Sequence, residues 1–318
     1  MANFYGSYIG YGTSATQAPG YIYQGENYGY NHGGATSPSG DSRVIERWSF
    51  ASGTQNSTQT GLLTANGEYA NGTHSGTHGY AQGVQSPTNM FEKYSFADGT
   101  QNGVDIADYS PHLSSGAGMS SETHGYIGGG YSYTGTVTVD KIYQHSFADD
   151  SQTGEIADMS ESKLQSSDAS DTVHGYLMCG ASGASDRSTV EKYIFQSTTT
   201  STDIGDMTEP GNSTGGASST THGYCFGRYK NASNTKHDYL DKFNFSGGFT
   251  ATTVGTLGFS VRHAMTGASS TTHGYHAGGT DNATHYNDIG KVDFASDGDS
   301  TDVGSLTINK QYGGGTHF

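Results

Sequence analysis

Long apolar runs, cysteine, tryptophan and basic residues are all scarce in this chain of 318 residues, and each shortage excludes something. Hydrophobic residues make up 31% of the chain and no apolar stretch reaches the length that spans a bilayer, so neither a membrane helix nor a large helical core is expected. The two cysteines, Cys179 and Cys225, stand at different offsets after His174 and His222, which excludes a repeated disulfide framework and leaves a single bridge open. Lys and Arg number 14 against 30 Asp and Glu, a net charge of −16. So acidic a chain repels phosphate backbones, and nucleic acid is not an expected partner. The opening Met1-Ala2-Asn3-Phe4-Tyr5 lacks the basic-then-apolar layout of a signal peptide, so export by the usual secretory route is not expected.

What the chain does have is glycine, 49 of them, and aromatics at 12%. Glycine-rich, weakly apolar sequences are often disordered, but here the aromatics keep a fixed period, which argues for a packed repeat. His-Gly-Tyr recurs at His78, His124, His174, His222 and His273, spaced by 46, 50, 48 and 51 residues. A second marker, the phenylalanine closing an aromatic strand, recurs at Phe50, Phe96, Phe147, Phe195, Phe245 and Phe294, spaced by 46, 51, 48, 50 and 49 residues. Tyr28-Gly29-Tyr30-Asn31-His32-Gly33-Gly34 is a degenerate first copy with Tyr28 in the histidine's place, making six units.

Each unit reads as four short strands. In the clearest one, Arg262 to Ser269 is a first strand, Ser270-Thr271-Thr272 a turn, and His273 to Ala277 a second strand ended by Gly278-Gly279. Ile289 to Phe294 is a third strand, Asp297-Gly298 a hairpin turn, and Thr301 to Leu306 a fourth. Four antiparallel strands per unit of this length predict one propeller blade each, hence an all-β, six-bladed β-propeller over residues 20–318. Residues 1–19, with Tyr5, Tyr8 and Tyr11 at every third position, form a separate Tyr/Gly-rich arm. Residues 308–318 read as a first strand without its His-Gly-Tyr partner, and ring closure is assigned to them over Ala18 to Gly25.

The order of strand, Gly-Gly, Glu/Asp-Lys-aromatic and short strand resembles the Kelch repeat of six- and seven-bladed propellers, with Gly33-Gly34, Gly129-Gly130 and Gly278-Gly279 matching the glycine doublet. It departs at Gly83, which stands alone, and at Trp48, which falls in the third strand instead of the fourth. The phrases Ser269-Ser270-Thr271-Thr272-His273-Gly274-Tyr275 and Lys291-Val292-Asp293-Phe294-Ala295-Ser296-Asp297 resemble repeats in virion proteins of marine bacteriophages. That resemblance implies a tail-fibre or capsid-decoration protein located in the virion, assembled in the host cytoplasm.

Candidate chemistry is sparse. A ring of the five repeat histidines would be far wider than the roughly 2.0–2.1 Å reach of a Zn–N bond, so they are assigned a structural role, each bonding a strand-end carbonyl or hydroxyl of the neighbouring blade. The repeated tyrosines are assigned to blade-to-blade packing. No phosphate loop, nucleophile elbow, His-Glu-x-x-His or Cys-x-x-Cys pattern occurs, and neither cofactor, metal nor enzymatic activity is expected. Function in a repeat array belongs where the repeats differ. Two such places are the tyrosine-rich start (Tyr5, Tyr8, Tyr11, Tyr21, Tyr23) and the loop from Arg228 to His237, whose Arg228, Tyr229, Lys230 and Lys236 are candidates for contact with a partner or acidic polysaccharide. The expected partners are other virion proteins, through the arm, and a bacterial surface glycan; no membrane is expected. The alternatives are a glycan-cleaving enzyme on the same scaffold and a cellular Kelch-type protein-binding module.

Overall fold

Short alternating segments cut by glycine and Ser/Thr turns cannot bury an apolar face alone, and here they solve this by stacking sheets around an axis. The computed structural model describes residues 24–36, 40–51, 53–82, 89–97, 100–108 and 110–317. Tyr5, Tyr8, Tyr11, Tyr21, Tyr23 and Gly83 lie outside the described residues. The regular elements described are all strands, and the chain is a six-bladed β-propeller with four antiparallel strands per blade.

Blade 2 shows the plan: Asn71–His74 innermost, then His78–Gln82, Met90–Ser95 and Val104–Asp108 outermost. The innermost strands of blades 3 to 6 are Ala117–Ser120, Ser167–Ser170, Gly215–Ser218 and Thr266–Ser269. In blade 1 that place is taken by the C-terminal strand Gly314–His317, which pairs antiparallel with Tyr28–His32 in the register Gly29↔His317 to His32↔Gly314. Each innermost strand packs on the next, and the sixth returns to the first. The first strand of blade 6 begins at Thr266, not at Arg262 as the sequence suggests. Ala264 takes a left-handed φ of 58°, which no strand continues through, and Arg262 turns away to Asp288.

The apolar core lies in the seams between blades. One cluster joins Tyr30, Ile45 and Leu63 of blade 1 to Ala81, Met90, Tyr94 and Phe96 of blade 2, and comparable clusters fill the other seams. The repeated tyrosine reaches across each seam to the repeated phenylalanine of the next blade. Ring centroids are 4.8 Å apart for Tyr30–Phe96, 5.0 Å for Tyr80–Phe147, 4.9 Å for Tyr126–Phe195, 4.6 Å for Tyr176–Phe245, 4.8 Å for Tyr224–Phe294 and 4.8 Å for Tyr275–Phe50. The two sequence markers are therefore each other's partners, which explains why they keep one period.

Two glycine positions are required by close approach. In blades 1, 2, 3 and 5 the glycine before the tyrosine leaves room for the third-strand side chain opposite: a Cβ on Gly79 would enter the ring of Tyr94. Nearer the axis, a Cβ on Gly72, Gly118, Gly216, Gly267 or Gly315 would overlap the backbone carbonyl of the preceding blade's innermost strand. Blade 4 breaks this rule with Asp168 at the equivalent place, lining the central void of about 110 Å³. Burial there lifts its carboxyl to about 7.

Candidate functional site

The two ends of the central channel differ. At the end where the innermost strands begin, one residue per blade adopts a left-handed backbone: Tyr69, Ser115, Gln165, Ser213, Ala264 and Tyr312, with φ from 52° to 59°. Each donates its N–H to the carbonyl of the equivalent residue in the preceding blade: Tyr69 to Tyr312 (3.0 Å), Ser115 to Tyr69 (3.2 Å), Gln165 to Ser115 (2.7 Å), Ser213 to Gln165 (2.8 Å), Ala264 to Ser213 (2.6 Å) and Tyr312 to Ala264 (2.9 Å). The bonds form a closed hoop around the mouth. Their making offsets the cost of left-handed conformation in residues other than glycine.

The hoop supports an arc of aromatic rings. Tyr69 and Tyr312 pack at a tilt of 35° with centroids 4.1 Å apart, His263 lies 6.5 Å from Tyr312, and Tyr229 stacks on His263 at 4.9 Å and 26°. On the other flank Tyr133 sits 4.6 Å from His112 and 5.2 Å from Tyr131. A cavity of about 80 Å³ opens among Tyr69, Ser115, Gln165, Ser213, Ala264 and Tyr312. Burial, then the neighbouring Tyr312 and Glu68, push the Tyr69 hydroxyl upward, so it stays neutral. Burial, helped by Lys236, brings His263 down to about 4, so this ring too is neutral at neutral pH. The mouth therefore offers the half-buried rings of Tyr69, Tyr229 and Tyr312, backed by the buried, neutral ring of His263 and edged with hydroxyl and amide groups.

The 228–237 loop joins this face as a hairpin, Tyr229 pairing with Lys236, while the Asn212 N–H donates to the Tyr229 carbonyl (2.9 Å) beside the hoop. Tyr229 thus enters the arc. Lys230 forms an ion pair with Glu209 at 2.8 Å, and Lys236 is half-buried near His263. Arg228 is a correction: it is fully buried, with its guanidinium on the buried carboxylate of Asp241 and the Glu209 carbonyl, so it is a strut inside blade 5 and not a contact residue. A basic loop reads as solvated, but Asp241 occupies the third-strand place held by Glu46, Glu92 and Glu191 in other blades, all of them buried. The rings of Tyr69, Tyr312, His263 and Tyr133 were not legible as a site, because they come from four blades and only Tyr69 and Tyr312 stand at equivalent places.

The repeat histidines lie at the opposite end. His78, His124, His222 and His273 place Nδ1 at 2.7–2.9 Å from the hydroxyls of Thr77, Thr123, Thr221 and Thr272, while His174 sits 3.0 Å from Asp171. Their partners are in their own turn and not in the neighbouring blade, since Ser75, Ser121, Ser219 and Ser270 fold that turn back by accepting the histidine N–H. Among the described residues, no group of three His, Cys, Asp or Glu is placed to hold a metal ion. This end also receives the start of the described chain, with Gln24 Nε2 donating to the Ser218 carbonyl (2.9 Å) and the Gly25 N–H to that of Ser269 (2.8 Å).

Six sheets around a channel with a hydrogen-bonded mouth define a β-propeller. Among solved structures the chain is similar to YjhT, a Kelch-repeat β-propeller protein, with a TM-score of 0.66 at 9% sequence identity, covering 79% of this chain and 87% of that one. At that identity the likeness concerns the fold alone. No protein-family model and no curated protein matches the chain.

Proposed function

We propose that this chain is a non-enzymatic interaction module of a bacteriophage particle that holds a host-surface glycan on the hoop face. The observation carrying this reading is the arc Tyr229–His263–Tyr312–Tyr69, with neighbouring centroids 4.9, 6.5 and 4.1 Å apart. Neutral aromatic faces match the C–H faces of a sugar ring, and the hydroxyl and amide groups around them match its hydroxyls. Gln24 and Gly25 are held at the other end, away from the arc, which leaves the hoop face to a ligand. The virion part of the proposal rests on the phrasing of residues 269–275 and 291–297. A cellular peptide-binding role would call for arginine at the mouth; the described residues lining its cavity are Tyr, Ser, Thr, Asn, Gln, Ala, Gly and Met.

One observation favours a second reading, a glycan-cleaving enzyme. Burial, and after it the charge of Asp41, raise the Glu68 carboxyl next to Tyr69, the direction in which a general acid is shifted. The test is a binding screen on bacterial surface polysaccharides with product analysis of every hit. Binding without fragments supports the proposal. Fragments that disappear in Glu68→Gln establish the enzyme, and an absence of binding across the screen overturns the glycan role.

A further inference from the structure

Four blades carry a lysine in the third strand directly opposite the repeated tyrosine: Lys93 on Tyr80, Lys192 on Tyr176, Lys242 on Tyr224 and Lys291 on Tyr275. At two seams the next blade answers it with an aspartate from the hairpin between its third and fourth strands. Asp150 binds the Lys93 ammonium with one oxygen and accepts from the Tyr80 hydroxyl on the other at 3.1 Å. Asp297 does the same for Lys242 and, at 3.3 Å, for Tyr224. Both aspartates stand three residues after the repeated phenylalanine, Phe147 and Phe294. One carboxylate thus clamps a lysine and a tyrosine across the seam.

Between blades 4 and 5 the clamp lacks its carboxylate. Gly247 and Gly248 follow Phe245 where the aspartate is due, and Lys192 forms no ion pair among the described residues. Its half-buried ammonium lies 5.8 Å from the centre of the Tyr176 ring and lines a groove of about 510 Å³ together with Asp171, His174, Thr221, Phe245 and Gly247. Asp171 does not serve in the missing place. It accepts from the N–H groups of Val173 and His174 (2.7 Å each), from His174 Nδ1 (3.0 Å) and from the Tyr176 hydroxyl (2.8 Å). Burial works to raise this carboxyl, but those donors outweigh it and lower it, so Asp171 is ionised and the proton it shares with His174 sits on Nδ1. In the neutral ring Nε2 is then an acceptor. At the seam of blades 6 and 1 no acid follows Phe50 either, but there Gln55 Nε2 donates to the Tyr275 hydroxyl at 3.4 Å.

We propose that the groove between blades 4 and 5 binds a carboxylated sugar of the hexuronate type, whose carboxylate takes the place of the missing aspartate on Lys192. The ligand's carboxylate accepts from the Lys192 ammonium, as Asp150 and Asp297 do at their seams. The hydroxyls of Thr220, Thr221 and Ser246, with His174 Nε2, meet the sugar's hydroxyls, while Val173, 50% exposed, and the ring of Phe245 meet its C–H groups. A neutral sugar leaves Lys192 unanswered, and a bare carboxylate leaves the hydroxyls unused. The groove lies at the histidine end of the propeller, away from the aromatic arc, so it is a second site that stands or falls apart from the first.

The test is a titration of the full-length chain with sodium glucuronate, followed by NMR, with glucose and sodium acetate as the comparison ligands. Glucuronate is expected to bind about tenfold tighter than either, and Lys192→Gln to weaken it by about tenfold or more. Lys291→Gln, which removes the same charge from blade 6, and Tyr229→Ala, at the arc, are expected to bind glucuronate as the parent does. Gly248→Asp returns a carboxylate to the hairpin while keeping the lysine. A Cβ there meets nothing within 4 Å, so this variant is expected to fold with the parent's Tm or above and to lose glucuronate binding. The proposal is overturned if glucuronate does not bind, if glucose or acetate binds as tightly, if Lys291→Gln or Tyr229→Ala weakens binding as much as Lys192→Gln, or if folded Gly248→Asp binds as the parent does.

Discussion

The rings of Tyr275 and Phe50 stack 4.8 Å apart at 23°, joining the last blade to the first. The contact is the same as at the other five seams, so the ring has no weaker joint where the chain closes it. Truncating either ring removes a buried aromatic, and Tyr275→Ala should cost about 3–5 kcal/mol. The double variant with Phe50→Ala should show a coupling of about 0.5–1.5 kcal/mol in a urea-unfolding cycle, with unfolding still in one transition. Strict additivity would mean that the stacking contributes nothing beyond burial.

Acid should unfold the ring through three histidines. Burial lowers His32, His145 and His276 to about 3, from an ordinary value near 6.5. A folded-state value below the unfolded one means that the stabilising neutral form is fully present above about pH 6.5. Its contribution is then lost as pH falls toward 3. Three such groups steepen the loss by up to about 4 kcal/mol per pH unit. His276→Gln should flatten the Tm-against-pH slope below pH 6, and an unchanged slope would contradict neutral burial.

Asp168 is expected to cost stability at neutral pH. Its carboxyl is raised to about 7, so deprotonation is harder in the fold than in the open chain. The penalty therefore appears as pH rises through the ordinary carboxyl range and is complete above about 7. Asp168→Gly, the residue type of the other five innermost strands, should be more stable at pH 8 by about 1–3 kcal/mol, with the gain vanishing near pH 4. Equal gains at both pH values would mean that packing, and not charge, sets the difference.

Arg228 separates structure from recognition. Removing one partner of a buried ion pair leaves the other uncompensated, so Arg228→Met should destabilise the chain by about 3–5 kcal/mol. The protein that remains folded should bind glycan as the parent does, measured at a temperature where both are native. A specific loss of binding at full folding would return Arg228 to the contact surface.

The blade plan was legible in the sequence because the seam imposes it: Tyr80 and Phe147 must recur together if each blade packs on the next in the same way. The glycine before each tyrosine carried the same signal for the same reason. The hoop was not legible, because backbone N–H and carbonyl groups form it and residues as unlike as Gln165, Ala264 and Tyr312 serve equally. The arc was hidden for a related reason. Tyr69 and Tyr312 are far apart in sequence and meet only where the C-terminal strand enters blade 1. Tyr229 could be singled out because its loop is basic in an acidic chain, and the same reasoning misplaced Arg228.

The central claim is that the arc over the hoop binds glycan, and calorimetric titration of a polysaccharide fragment that scores in the screen tests it most directly. Tyr229→Ala leaves the hoop bonds and the seams intact, and removing one stacked ring should weaken binding by about 1–2 kcal/mol, roughly five- to thirty-fold in Kd, with unchanged Tm. A Tyr229→Ala variant that is fully folded and binds the fragment as tightly as the parent would contradict the account.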